Sequence, residues 1–506
     1  MFNNLIKIVF IFYWSILTTA FSQEICLMPP AGPPGIFNKE LSQSYQNLLN
    51  LPLEKSEPDE LLEPAQINGA WKALIILIDF PDYRWFHQND SNFPNSDSLY
   101  TPEHFDQMLF SLSTYRHPGS LSVYTGSMRD FYLENSYGQF DITGVVTRWY
   151  TAPESLAFYV NRDKMSGTAD DYGFGAYPNN VKRLVEEAIE LADADVDFSQ
   201  FDNNQDGVVD ALFVVHAGPG AEEIYTKNFP AHFNYLWSHK SSIKPQTRDG
   251  VLISGYTLEP ENGTIGVFCH EFGHALGLPD LYDTDGSSEG IGEWGLMSSG
   301  GWCHRKGDPL GTSPSHFTAW SKAKLGWLTP INLTTNLTGV VIPPVETNPV
   351  AYRLWRNGEN TTEYFLIENR QNLGFDQGLT RRQKDFDQPD PSGLIIYHID
   401  ATGHQNDELH RRIDVEEATP YMDSLKIVEQ LDLRRNIPMH QFLFNGNRGD
   451  NGDPFPGFSS ISFDARSFTG DRTRDTFNDE SIPNSRDNQG VPTFVAIENI
   501  KIADKN

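Results

Sequence analysis

The sequence predicts an α/β region followed by a β-rich one, on three observations. Lys72 to Phe80 (KALIILIDF) reads as a buried strand and opens a stretch in which strand and helix patterns alternate, the order of an α/β lobe. From about residue 331 helical periodicity gives way to short alternating segments between turn-rich loops, the pattern of a sandwich-like β region. The chain has 506 residues, 39% hydrophobic and 12% aromatic, enough apolar material for two or three folded domains.

Charge narrows the class of partner. Lys plus Arg is 38 and Asp plus Glu is 68, a formal charge of −30. That balance argues against nucleic acid or an anionic membrane as the main partner. It suits a soluble, secreted, monomeric protein with carboxylates to spare for calcium.

Residues 1–22 read as a signal peptide: Lys7 supplies the positive end, Ile8 to Leu17 the apolar run, and Ala20-Phe21-Ser22 a small-residue cleavage site. The run is too short to span a bilayer, and no later stretch approaches 18 apolar residues, so no membrane anchor is expected after cleavage. Residues 23–68 form a pro-segment or N-terminal arm, extended around Pro29-Pro30-Ala31-Gly32-Pro33-Pro34-Gly35. Cys26 lies in this arm. The favoured reading is an unremarkable thiol in a mobile segment; the alternative is a thiolate cap on a zinc ion before activation. The other two cysteines, Cys269 and Cys303, either pair or remain two buried thiols.

Residues 69–330 form the proposed catalytic domain. After the first strand come a helix over Ser127 to Ser136, a strand over Phe140 to Trp149, a helix over Asn179 to Ala194 and a strand over Ala211 to His216. His216 is read as structural. Between the last two elements, Asp202, Asn204, Asp206, the Val208 carbonyl and Asp210 alternate oxygens around Gly207, a candidate calcium loop; an EF-hand would need Glu where Phe213 stands. Ser313 to Leu325 is predicted helical. In residues 331–506 strands are expected at Gly339 to Val345, Tyr352 to Trp355, Glu363 to Glu368, Gly393 to Ile399 and Thr493 to Ile502.

The chemistry concentrates in His270-Glu271-Phe272-Gly273-His274-Ala275-Leu276-Gly277-Leu278-Pro279-Asp280. On a helix, His-Glu-x-x-His sets two imidazoles one turn apart on one face, where they can share a metal. Thr264 is a candidate N-cap, Gly277 a helix terminator, and Pro279 prevents resumption. The turn can return Asp280 as a third ligand, leaving one position for water, as catalytic zinc requires. Glu293 and Asp283 are the alternative third ligands. Glu271 is placed to take a proton from a zinc-activated water. Tyr282 could donate a hydrogen bond there. Gly295-Leu296-Met297-Ser298-Ser299-Gly300 follows as a tight turn.

HExxHxxGxxD followed by a methionine turn resembles the metzincin clan of zinc peptidases. The fuller run from Cys269 to Asp283, with Glu293 to Met297, Trp320 to Trp327 and Asp453 to Gly457, resembles the secreted immune inhibitor A metallopeptidases. The resemblance runs from about residue 70 to the C-terminus. It implies a metzincin-like α/β zinc endopeptidase, Met297 as the floor beneath the metal, and calcium at the 202–210 loop. Where this chain has Asp280, many metzincins have a third histidine. The expected activity is hydrolysis of protein or peptide substrates with Glu271 as general base. The competing expectation is a secreted binding protein with a vestigial zinc site, although both histidines and Glu271 are retained.

Overall fold

The strand expected at 72–80 is an inner strand of a six-stranded sheet, second from one edge. A computed structural model describes residues 26–31, 65–85, 100–161, 172–224, 234–284, 288–382, 391–407, 410–418, 448–449, 452–456, 475–481 and 483–501. The signal peptide at 1–22 therefore lies outside the described residues, as do Gly457 and most of the 23–68 arm.

The first sheet contains β1 (Cys26–Leu27), β2 (Gly69–Asp79), β3 (Phe140–Thr151), β4 (Leu212–His216), β5 (His239–Arg248) and β6 (Val251–Pro260), in the order β1-β5-β6-β4-β2-β3. β3, β2, β4 and β6 run parallel; β5 is antiparallel to β6, and β1 antiparallel to β5. The helices are α1 (Pro102–Phe110), α2 (Met128–Asn135), α3 (Leu156–Tyr159), α4 (Val181–Ala192), α5 (Ala221–Ile224), α6 (Ile265–Ala275) and α7 (Ala319–Lys324). Among the described residues, no helix is long and apolar enough to cross a membrane.

Both faces of the sheet are covered, which is why β2 reads as continuously apolar. Its side chains alternate between two cores, as the strand period of two requires. Ala73, Ile75 and Leu77 pack with α1, α2 and α6, while Leu74, Ile76 and Ile78 pack with α4. The metal-motif helix α6 thus lies on one face, locked by Phe268 and Phe272.

Downstream, β7 (Ile331–Asn332), β8 (Tyr352–Leu354), β9 (Glu363–Arg370), β10 (Gly393–Asp400) and β11 (Ile413–Val415) form a second sheet ordered β11-β10-β9-β8-β7. A two-stranded ladder joins β12 (Thr476–Phe477) and β13 (Ile497–Glu498). Leu366, Ile395, Tyr397 and Ile399 of the second sheet share one hydrophobic core with Phe272, Phe317 and Trp327.

Three expected elements differ. The helix predicted from Ser313 starts only at Ala319, with Thr318 as its N-cap. Upstream, the Ser315 N–H donates to the Gly300 carbonyl, His316 N–H to the Asp376 carboxylate and Phe317 N–H to the Asn135 side chain, so the backbone is committed to its neighbours. Gly339 to Val345 forms no named strand; Pro343 and Pro344 lack ladder donors, and one isolated bridge joins Pro344 to Asn369. The last strand shrinks to Ile497–Glu498, between positive-φ residues Phe494 and Asn499.

Candidate active site

Helix α6 presents the motif. Thr264 occupies the N-cap position, but its hydroxyl donates to the Leu310 carbonyl instead of capping the helix. A glycine turn ends the helix as expected. The Gly277 N–H donates to the His274 carbonyl and the Leu278 N–H to the Gly273 carbonyl, the paired bonds of a Schellman motif, with Gly277 at φ +94°. The Tyr132 hydroxyl donates to the Cys269 carbonyl and ties α6 to α2.

Backbone carbonyls orient both imidazoles. His270 Nδ1–H donates to Leu296 O at 2.9 Å, and His274 Nδ1–H donates to Leu278 O at 2.8 Å. Each ring therefore turns Nε2 inward as a lone-pair acceptor. The two Nε2 atoms stand 3.2 Å apart. Asp280 Oδ1 lies 3.3 Å from His270 Nε2 and 3.1 Å from His274 Nε2, and it has no hydrogen-bond partner.

Three lone-pair atoms this close repel one another unless a proton or a cation lies between them. Ligands about 2.0–2.1 Å from a tetrahedral zinc ion stand about 3.3 Å apart, so the spacing fits that metal. Without metal, burial pulls His270 below its usual pKa. Burial acts the same way on His274, but Cys26 and Asp280 outweigh it and hold His274 well above its usual value. Asp280 is held low because the two histidines outweigh its burial.

Glu271 is fully buried, with neither carboxylate oxygen hydrogen-bonded, and burial pushes its pKa well up. A cation a few ångströms away would favour its ionised form. Met297 is fully buried beneath the helix: a Cβ at Gly273 would come within 2.5 Å of its sulfur. The Met297 carbonyl accepts from the Leu281 N–H, tying this turn to the residue after Asp280.

The alternative third ligands point elsewhere. Asp283 accepts from the Ser288 hydroxyl, and Glu293 accepts from the Cys303 thiol. All three cysteines are free thiols. His216 is buried on β4, with Nδ1 against the Ala217 carbonyl, and burial pushes its pKa down to about 4.

Two positions were undervalued in the sequence. Cys26 is not a thiol in a mobile arm: it is buried in β1, paired with β5, and one ligand atom each from Cys26, His274 and Asp280 lie within 4.8 Å of one another. The Tyr282 hydroxyl donates to the Leu27 carbonyl at 2.6 Å, which fixes the direction that sequence left open. The antiparallel pair beside them, β5 and β6, was also missed, although Asp249-Gly250 between the two strands is a strong hairpin signal.

In the candidate calcium loop the side chains of Asp202, Asn204 and Asp206 accept from the N–H groups of Asp206, Gly207 and Val208, and Asp210 accepts from Asn203 N–H. Each carboxylate oxygen keeps a second lone pair. The described geometry is a self-closed turn.

Comparison with known proteins agrees with the motif. The family model described as immune inhibitor A peptidase M6, catalytic domain, matches residues 68–328. Immune inhibitor A of Bacillus thuringiensis subsp. alesti is 33% identical over 282 residues, covering 50% of this chain and 39% of that protein. The pre-pro-metalloprotease PrtV of Vibrio cholerae serotype O1 (strain M66-2) is 32% identical over 282 residues, covering 50% of this chain and 29% of that protein. The match thus spans well under half the length of either relative. With the matched model covering slightly more than half its length and ending just past α7, the chain belongs to the immune inhibitor A peptidase M6 family.

Proposed function

We propose that this chain is a secreted zinc endopeptidase, with zinc held by Nε2 of His270, Nε2 of His274 and the Asp280 carboxylate. The observation that carries this reading is the convergence of three potential ligand atoms from the metal motif, 3.1–3.3 Å apart. Bound there, zinc would acidify a water molecule and polarise the scissile carbonyl.

The protein's own groups supply the remaining steps. Glu271 takes the water proton on a carboxylate oxygen and passes it to the leaving amine. Its lack of competing hydrogen bonds leaves both oxygens available for that transfer. The Leu296 and Leu278 carbonyls hold the imidazoles in the ligating tautomer. Met297 fills the floor under α6. A substrate in extended form can take the place of β1 on the edge of β5, and the Tyr282 hydroxyl can then meet one of its carbonyls. The substrate class is protein or peptide, and the metzincin-like arrangement uses a short-spaced aspartate. Calcium at Asp202, Asn204, Asp206, Val208 and Asp210 belongs to the same proposal as a stabilising ion.

The deciding experiment is hydrolysis of a generic protein substrate, with zinc content measured in parallel. Activity should disappear on chelation, return on adding zinc, and be lost in Glu271→Gln. Full activity in the chelated protein, or in Glu271→Gln, would overturn the reading.

A further inference from the structure

We propose that Cys26 is a fourth ligand to the metal and that residues 26–31 form an inhibitory strap lying in the substrate's place. The inference rests on the zinc site proposed above.

Two independent observations converge. The first is at the metal site. Asp280 Oδ1 is buried without a hydrogen-bond partner, the adjacent histidines are almost fully buried, and the Cys26 ligand atom lies within 4.8 Å of those of His274 and Asp280. Two histidines and one carboxylate leave one tetrahedral position, and a thiolate is a good zinc ligand. In binding, the thiol releases its proton to solvent and displaces the water that Glu271 needs.

The second observation is the path of the backbone. Cys26 and Leu27 pair antiparallel with Lys240 and His239, adding a strand to the edge of β5. This is how an extended peptide docks on a sheet. The Leu27 carbonyl takes the Tyr282 hydroxyl, and the Met28 N–H donates to the Ser238 carbonyl. Beyond them, the indoles of Trp237 and Trp302 donate to the Met28 and Pro29 carbonyls, and the Arg448 guanidinium donates to the Pro30 carbonyl. Met28 and Ala31 pack against Val267 of α6 and Trp302. The strap thus covers the edge strand, the tyrosine and the metal's open position together. A cut between Ala31 and Gly69 would release all three at once.

The test loads the full chain with cobalt(II) and records its near-ultraviolet spectrum, with metal content measured alongside. The parent should show a sulfur-to-cobalt charge-transfer band that Cys26→Ser loses while retaining the metal. Cys26 should also resist alkylation in the metal-loaded parent and react after chelation, with the labelled residue mapped by mass spectrometry. Cys26→Ser should hydrolyse substrate faster than the uncut parent. If cobalt is bound, and lost in His274→Ala, but the parent shows no sulfur band and Cys26 alkylates equally with and without metal, the strap proposal falls and the peptidase reading stands. If cobalt binding does not depend on His274, both fall. The spectrum and alkylation of the parent decide the question even if Cys26→Ser does not fold.

Discussion

Gly277 connects the two histidines to Asp280, and its replacement by alanine tests whether that turn delivers the third ligand. Gly277 sits at φ +94°, and an added Cβ would meet nothing within 4 Å. The penalty is therefore confined to the backbone. A side chain in the left-handed region costs roughly 1–2 kcal/mol, and φ here lies beyond the usual centre of that region. Alanine also restricts the unfolded chain, which returns about 0.4–1 kcal/mol, so the net loss of stability should be about 1 kcal/mol. Zinc affinity receives no such offset, because free and bound protein are both folded. If the turn relaxes in the metal-free protein, affinity should fall by up to about 5–30-fold. Urea unfolding of the metal-free protein and a zinc competition titration measure the two quantities. Gly277→Asn should do less harm, since asparagine tolerates positive φ. Parental stability and affinity in Gly277→Ala would refute the argument, as would equal damage from asparagine and alanine.

Glu271→Gln should keep zinc and fold while kcat/KM falls by about 10²–10⁴, the usual contribution of a general base; metal analysis and steady-state kinetics check it. Asp280→Ala should lose zinc affinity strongly. Asp280→His should recover much of it and move the acidic limb of the pH–rate profile to lower pH, because a neutral ligand leaves the site more positive by one unit. Calcium added to metal-stripped protein should stabilise the fold through the 202–210 loop by about 2.7 kcal/mol at a hundred times Kd and so raise Tm; an unchanged Tm would remove that assignment. His398 lies between Glu363 and Glu416, and although burial opposes protonation, these acids push its pKa up to about 10. Protonation of His398 therefore favours the folded state. The stability it contributes is full below the unfolded value near 6.5 and lost as pH rises towards 10. Denaturant unfolding across that range should show the deficit of His398→Gln shrinking as pH rises.

What was legible followed from local physics. The continuous apolar run of β2, the glycine after Leu276 and the His-Glu-x-x-His spacing each act within a few residues, and the elements they predict are present. What was illegible depends on distant partners. Thr264 looks like a cap but gives its hydroxyl to Leu310. Ser313 to Thr318 looks helical but spends its donors on Gly300, Asn135 and Asp376. Cys26 carries no local signal, since its role depends on β5 lying beside it, more than 200 positions along the chain. The Leu296 carbonyl that orients His270 is a backbone atom 26 residues away, invisible to any side-chain motif.

The core that crosses residue 330 constrains how such a chain can be cut or recombined. Phe317 and Trp327, near the end of the matched family region, pack in one cluster with Leu366, Ile395 and Tyr397 beyond it. Glu368 of β9 accepts from the Ala319 N–H at the start of α7 and from the Tyr397 hydroxyl of β10. Arg370 and Asp376 form a fully buried ion pair beside the segment that carries His316. A chain severed at 330 would leave aromatic rings uncovered and strip Glu368 from the α7 amide. The limit of the matched region is therefore a boundary of sequence similarity that runs through one shared hydrophobic core, and exchange of downstream modules must spare β8 to β10.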